Sequence, residues 1–276
     1  HLIKNKSWDL FWGFIGSSDR LNHMFWKDMD TMHRRHDPNS KFKNTLKDYY
    51  IQVDKGIGKL ISLLDKDTKI IILSDHGIMR MHNRINLTDW LIKNKYMVLK
   101  KQIDQKCEFK PEMVDWQKTK VFAIGAYEGQ IFINLKGREP EGIIEQKDYD
   151  NLLNELEIKL KKIPGDDNSV LNTKIFKKKD HFKGEYQEIA PDMIVYFDDL
   201  HYGCNNSIIG NPTLWNIETA KGGDDSCHSK QGIFILKNNK QAKGFIGDIS
   251  YLDVVPTILS ELNIPMSKDL KGKIIS

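Results

Sequence analysis

The segment Lys69 to Gly77, Lys-Ile-Ile-Ile-Leu-Ser-Asp-His-Gly, constrains the fold more than any other stretch of the chain. Four consecutive apolar residues, Ile70 to Leu73, read as a strand buried on both faces, the kind found in parallel sheets covered by helices. Asp75 and His76 follow at its carboxyl end, where open α/β sheets hold their ligands, and Gly77 permits a tight turn or a close backbone approach. A carboxylate beside an imidazole suits a divalent ion such as zinc or manganese. The same pair also fits a plain surface turn, so its meaning depends on what the rest of the chain brings to it.

Ahead of this strand, Leu46, Tyr50, Val53, Ile57, Leu60 and Leu64 step by four and three, the pattern of an amphipathic helix. Helix followed by strand is the repeating unit of a doubly wound α/β fold. Nearer the start, Trp8 to Ile15 is strongly apolar and reads as another strand, ending in Gly16-Ser17-Ser18. If Asp19 opens a helix there, His23 lies one turn later on the same face, and both can reach one ion. Phe25, Trp26 and Met29 read as the packed side of that helix, and His33 and His36 as surface residues.

After His76, Met79 to Arg84 reads as a loop in which His82 is an outer contact or an exposed side chain. Leu87 to Ile92 reads as a helix, Gln130 to Leu135 as a strand, and Gly137 to Pro140 as a turn with an exposed Arg138. Tyr149 to Ile163 has helical spacing and is stopped by Pro164-Gly165. Met193 to Phe197 reads as a strand, Gly232 to Leu236 as another, and Ile249 to Leu262 as a helix containing Pro256. Between them, 198–225 is rich in Gly, Asn and Asp and has no periodicity; it is expected to border a substrate cleft and to be poorly ordered. His228 follows it, a third histidine near a strand end, with Cys227 expected to point the other way in an extended segment.

The chain has 276 residues, enough for a full core in one large domain or one domain with an insertion. Its 42 basic and 38 acidic residues leave a net charge of +4, so the basic pI of about 8.7 gives no nucleic-acid-binding signature. Lys177 to Lys179 read as a solvated loop face. Three widely spaced cysteines without a CxxC argue against a disulfide framework or a thiolate zinc site and fit a cytoplasmic protein. No apolar run approaches the ~20 residues that span a bilayer. Since the first residue is His1, a native start, and any targeting signal with it, is expected to lie upstream.

Asp19-x-x-x-His23, Ser74-Asp75-His76-Gly77, His228-x-x-x-Gly232-Ile-Phe and Asp253-Val-Val-Pro-Thr-Ile-Leu259 occur in that order. Together they resemble the alkaline phosphatase superfamily, and within it the type I phosphodiesterase/nucleotide pyrophosphatase branch. Asp19 to Trp26, Asn86-Leu87-x-Asp89-Trp90-Leu91, Asn134 to Pro140 and Ala190-Pro191-Asp192 add to the likeness. The resemblance implies one α/β catalytic domain over residues 1–276, its sheet mostly parallel and flanked by helices, with a small insertion near 95–190. It implies two divalent metal ions, zinc or else manganese, acting on a small phosphodiester or nucleotide. Asp19, His23 and His228 match the ligands of one ion, and Asp75 and His76 match ligands of the second.

The family's nucleophilic Thr or Ser and a further Asp ligand belong well upstream of the Asp19 motif, and no residue from Ser7 to Ser18 matches the nucleophile. A C-terminal portion, its sheet incomplete on the N-terminal side and inactive alone, is therefore expected. The alternatives are another superfamily activity (phosphomonoesterase, sulfatase or phosphoglycerate mutase) or a metal-free binding domain of the same fold. The oligomeric state is not legible in the sequence.

Overall fold

The computed structural model describes residues 1–125, 127–205, 207–208, 214–219, 222–237 and 244–275. It is a mixed α/β structure of helices and small sheets. The chain divides into two compact units.

The first unit comprises His1–Gly16, Asp48–Gly77 and Lys230–Ser276. Its sheet pairs Ile70–Leu73 with Phe234–Lys237, antiparallel, in the register Ile70↔Lys237 to Leu73↔Phe234. Ser74 extends the pairing: its N–H donates to the Ile233 carbonyl at 3.1 Å, and its Oγ accepts from the Ile233 N–H at 2.9 Å. The expectation that Ile70 to Leu73 are buried on both faces is not met. All four are half-buried, because among the described residues the strand has a single neighbour, and that neighbour alternates half-buried with exposed positions. The expected strand at Trp8 to Ile15 is also absent. These residues are assigned to neither a strand nor a helix, and Trp12 and Phe14 are largely exposed.

The helix read from Leu46 to Leu64 is present as Thr45–Ile61, ending one turn early, and belongs to this unit from Asp48 onward. Near the carboxyl end, Ser250 and Asp253 form a reciprocal capping box that starts the turn leading into the Val254–Glu261 helix. Asp253 Oδ1 also accepts the Lys273 N–H at 2.8 Å, and Thr257 accepts that of Ile275 at 2.9 Å, so the polar tail is tied back onto the helix start.

The second unit comprises Ser17–Lys47 and Ile78–Ser229 and holds the main hydrophobic core. Its largest sheet is antiparallel, in the order Val121–Gly125, Gly129–Ile133, Met193–Tyr196, Lys174–Lys177. Period-two burial along the first three strands directs Val121, Ala123, Ile131, Ile133, Met193 and Val195 to one side. In the same core lie Leu152, Leu153, Leu156 and Leu160, the buried stripe of the Tyr149–Leu160 helix. Each such side chain contributes on the order of 1.5–3 kcal/mol by leaving water. Glycines frame the first hairpin turn: a Cβ on Gly125 would run into the Glu128 carbonyl oxygen, and one on Gly129 would lie 2.9 Å from Leu87 Cδ2.

Several polar expectations change in this unit. Met79 to Arg84 is mostly strand, divided between Gly77–Arg80, beside Ser226–Ser229, and Asn83–Ile85, parallel to Tyr202–Cys204. The start of 198–225 is consequently well packed, with Tyr202, Gly203 and Cys204 buried; the partner strand is too distant in sequence to show in local periodicity. Residues 206, 209–213 and 220–221 of that stretch lie outside the described residues. Met29 is exposed rather than packed. His33 is buried, and its burial lowers its pKa below the ordinary imidazole value. His36 is half-buried and bonded through Nδ1 to the Lys27 carbonyl. His82 is half-buried against His201, with ring centroids 4.7 Å apart. The lysine run is paired, not a free solvated face: Lys177 with Glu157, Lys178 with Asp192 and Lys179 with Asp150.

Arg138 is the clearest correction. It is largely buried and grips Asp192 with both terminal nitrogens at 2.7 Å. Asp192, fully buried, also accepts from the Ile133 N–H and the Tyr149 hydroxyl, each at 2.7 Å. The Asn134–Pro140 and Pro191-Asp192 motifs thus meet in one structural network. Burial alone would raise the Asp192 pKa, but Arg138 and these donors outweigh it and hold it below the usual carboxylate range. Asp192→Ala should cost about 3–5 kcal/mol, the range for breaking a buried pair. Because the folded pKa is depressed, the contribution is present above the unfolded value of about 3.9 and lost as pH falls through the folded one. Urea midpoints of parent and variant at pH 7 and pH 3 should therefore converge at the lower pH.

Candidate functional site

In the second unit the Ser17–Met29 helix carries Asp19 in its first turn and His23 one turn later, as their spacing requires. His23 Nε2 lies 3.2 Å from Asp19 Oδ1. The Ser226–Ser229 strand brings in His228, whose Nε2 lies 3.2 Å from His23 Nε2 and 3.6 Å from Asp19 Oδ1. Three of the five expected ligands therefore converge across more than two hundred residues of sequence. Cys227 points into a buried cluster with Met81 and Leu200, as alternation along a strand demands. Burial pushes its thiol pKa up to about 12.

The other two expected ligands belong to the first unit, at the end of the Ile70–Leu73 strand. His76 Nδ1 lies 2.9 Å from the Gly77 carbonyl, which assigns the proton to Nδ1 and leaves Nε2 as the lone-pair nitrogen. Asp75 is largely exposed; its Oδ1 accepts the His76 N–H at 3.1 Å and lies 3.8 Å from His76 Nε2.

The electrostatics of the His23 cluster come from residues that the sequence did not single out. Asp224 Oδ1 lies 2.8 Å from His23 Nδ1, and Ser226 Oγ lies 3.1 Å from the same nitrogen. Behind Asp224, the buried Arg84 reaches its Oδ2 at 2.5 Å and the Cys204 carbonyl at 3.0 Å. Burial would raise the Asp224 pKa, but the His23 hydrogen bond and the Arg84 charge outweigh it, so the group remains a carboxylate. An anionic acceptor at Nδ1 requires a proton there and makes Nε2 the lone-pair nitrogen of neutral His23. Tyr127, on the hairpin turn between Val121–Gly125 and Gly129–Ile133, stacks on the His23 imidazole, lies tilted against that of His228 and places its hydroxyl 3.1 Å from His23 Nε2.

A detectable signal for Asp224 existed: in extended backbone Asp224, Ser226 and His228 share one face, opposite Cys227. Nothing local marks Arg84 or Tyr127, which reach the cluster only through tertiary packing.

The donor chemistry of Asp19, His23 and His228 fits a divalent cation. One proton can join only one pair of these groups, whereas a single ion accepts from two imidazole nitrogens and a carboxylate together and keeps a position for a further ligand. The same donors suit zinc and manganese.

With the fold class and this geometry in place, a family model described as type I phosphodiesterase / nucleotide pyrophosphatase matches residues 2–212. The chain belongs to that family. Its activity class is accordingly that of hydrolases acting on phosphodiester and pyrophosphate bonds. No curated protein matches the chain.

Burial works against charge on His23, but Asp224, Asp19 and the Ser226 backbone outweigh it and hold its pKa above the ordinary value of about 6.5. Its contribution to stability should be complete below the unfolded pKa and lost as pH rises through the folded one. Asp224→Asn should lower the His23 pKa. Imidazole NMR titration of the metal-free chain reads this directly; a His23 pKa unmoved by the substitution would contradict the assignment.

Proposed function

We propose that the chain belongs to the catalytic domain of a hydrolase that cleaves phosphodiester or nucleotide pyrophosphate bonds by in-line attack between two divalent ions, zinc or manganese. The convergence of Asp19, His23 and His228 carries this reading. Held there, such ions would polarise the reacting oxygens and offset the negative charge of the phosphate and of its transition state.

The chain's own groups supply the rest. His23 and His228 present imidazole nitrogens, and Asp19 supplies negative charge beside them. Asp224, backed by Arg84, fixes the tautomer of His23. Asp75 and His76 are assigned to the second ion by their match to the family motif. The nucleophile is expected to be a hydroxyl, and nothing from Ser7 to Ser18 matches it.

An alkaline-phosphatase-like arrangement over residues 1–276 with an insertion near 95–190 is part of the proposal. The antiparallel sheet and the Tyr149–Leu160 helix, which fall together within 121–196, support the insertion. Small diesters or nucleotides are the proposed substrates. Free Cys107, Cys204 and Cys227 fit a reducing, cytoplasmic setting. Among the described residues no helix is long and apolar enough to cross a membrane.

In the gene product that carries this chain, bis(p-nitrophenyl) phosphate should be hydrolysed faster than p-nitrophenyl phosphate when zinc or manganese is supplied. His23→Ala should lower kcat/KM by about a hundredfold or more. Preference for the monoester or for a sulfate ester would move the activity to another branch, and turnover indifferent to His23→Ala would contradict the assigned site.

A further inference from the structure

Tyr127 has more contact with the candidate ligands than a filler residue needs. Its ring lies 5.1 Å from that of His23 at an interplanar angle of 18°, and 4.1 Å from that of His228 at 33°. The Arg84 guanidinium lies 5.7 Å from the ring centroid. The hydroxyl is 3.1 Å from His23 Nε2, the nitrogen that faces both Asp19 and His228.

Since His23 Nδ1–H donates to the Asp224 carboxylate, neutral His23 accepts at Nε2, and the Tyr127 O–H is positioned to donate to it. A cation that takes this lone pair removes the hydroxyl's acceptor. The O–H is then a half-buried donor at the edge of a cationic site, free to turn to an anionic acceptor held there. Nothing in the sequence marks the residue for such a role. The glycines at 125 and 129, each too closely approached for a side chain, allow the tight turn that presents it.

We propose that Tyr127 is a phosphate-contacting residue. Its hydroxyl caps His23 Nε2 when no ion is bound and donates to a non-bridging phosphate oxygen when the ligands hold one, while its ring keeps the two imidazoles in place. This rests on the metal-dependent phosphodiesterase reading and extends it by one substrate contact.

The test uses the full 276-residue chain, with zinc affinity measured by competition against a chromogenic chelator and inorganic phosphate affinity of the zinc-loaded chain measured by calorimetry. Tyr127→Phe keeps the ring and removes only the hydroxyl. It should bind zinc at least as tightly as the parent and phosphate about tenfold more weakly, the scale of one hydrogen bond to a charged acceptor. Tyr127→Ala should weaken zinc binding as well. A Tyr127→Phe chain that binds phosphate as the parent does would overturn the proposal and leave the metal site standing. A parent chain that binds no zinc, or binds zinc but then no phosphate, would also overturn it, and the first of these results would remove the metal reading too.

Discussion

A buried cation sets the chemistry of the candidate site. Arg84 is almost wholly enclosed, and a guanidinium in that position is tolerable only when paired. Its partner is Asp224, and through Asp224 the charge determines which nitrogen of His23 bears a proton. The chain from Arg84 to Asp224 to His23 thus turns an energetic necessity of the core into the orientation of a lone pair. A carboxylate or carbonyl behind a metal-binding histidine is the usual way of fixing its tautomer and raising its basicity.

The same stretch is secured from a second side. Asp225 is buried and ion-paired with Lys27 at 3.0 Å and Arg35 at 3.1 Å, while its N–H donates to the His23 carbonyl at 3.0 Å. Adjacent carboxylates therefore divide the work. Asp224 faces the imidazole ring, and Asp225 anchors the strand entry to the helix that bears the ring. His228, three residues on, inherits its placement from both. Substitutions at Asp225 would be expected to disturb geometry without removing any proposed ligand.

The helices from Leu46 and from Tyr149, and the strands at Ile70, Gln130 and Met193, were legible because local burial has a period that the sequence repeats. The Asp19 and His23 pair was legible for the same reason, and His228 through its ordered motif. What local pattern could not show was pairing over long separations. Trp8 to Ile15 has the composition of a strand but is not assigned to one, and Tyr202–Cys204 lacks strand periodicity yet pairs with Asn83–Ile85. Buried polar residues were the other blind spot. Arg138, His33 and Lys178 were read as exposed because charge usually is, yet each is largely buried, Arg138 and Lys178 on Asp192. The family motif around Arg138 marks a structural network rather than an anion site.

X-ray absorption at the zinc edge of the chain loaded with one equivalent of zinc tests the central claim most directly, since it reads the atoms around the ion without needing turnover. A shell of nitrogen and oxygen only, at about 2.0–2.2 Å with the scattering signature of two imidazoles, is the expected result, and His228→Ala should reduce the imidazole count to one. Sulfur at about 2.3 Å would instead place the ion on a cysteine. That result, or a chain that retains no zinc, would contradict a site built from Asp19, His23 and His228.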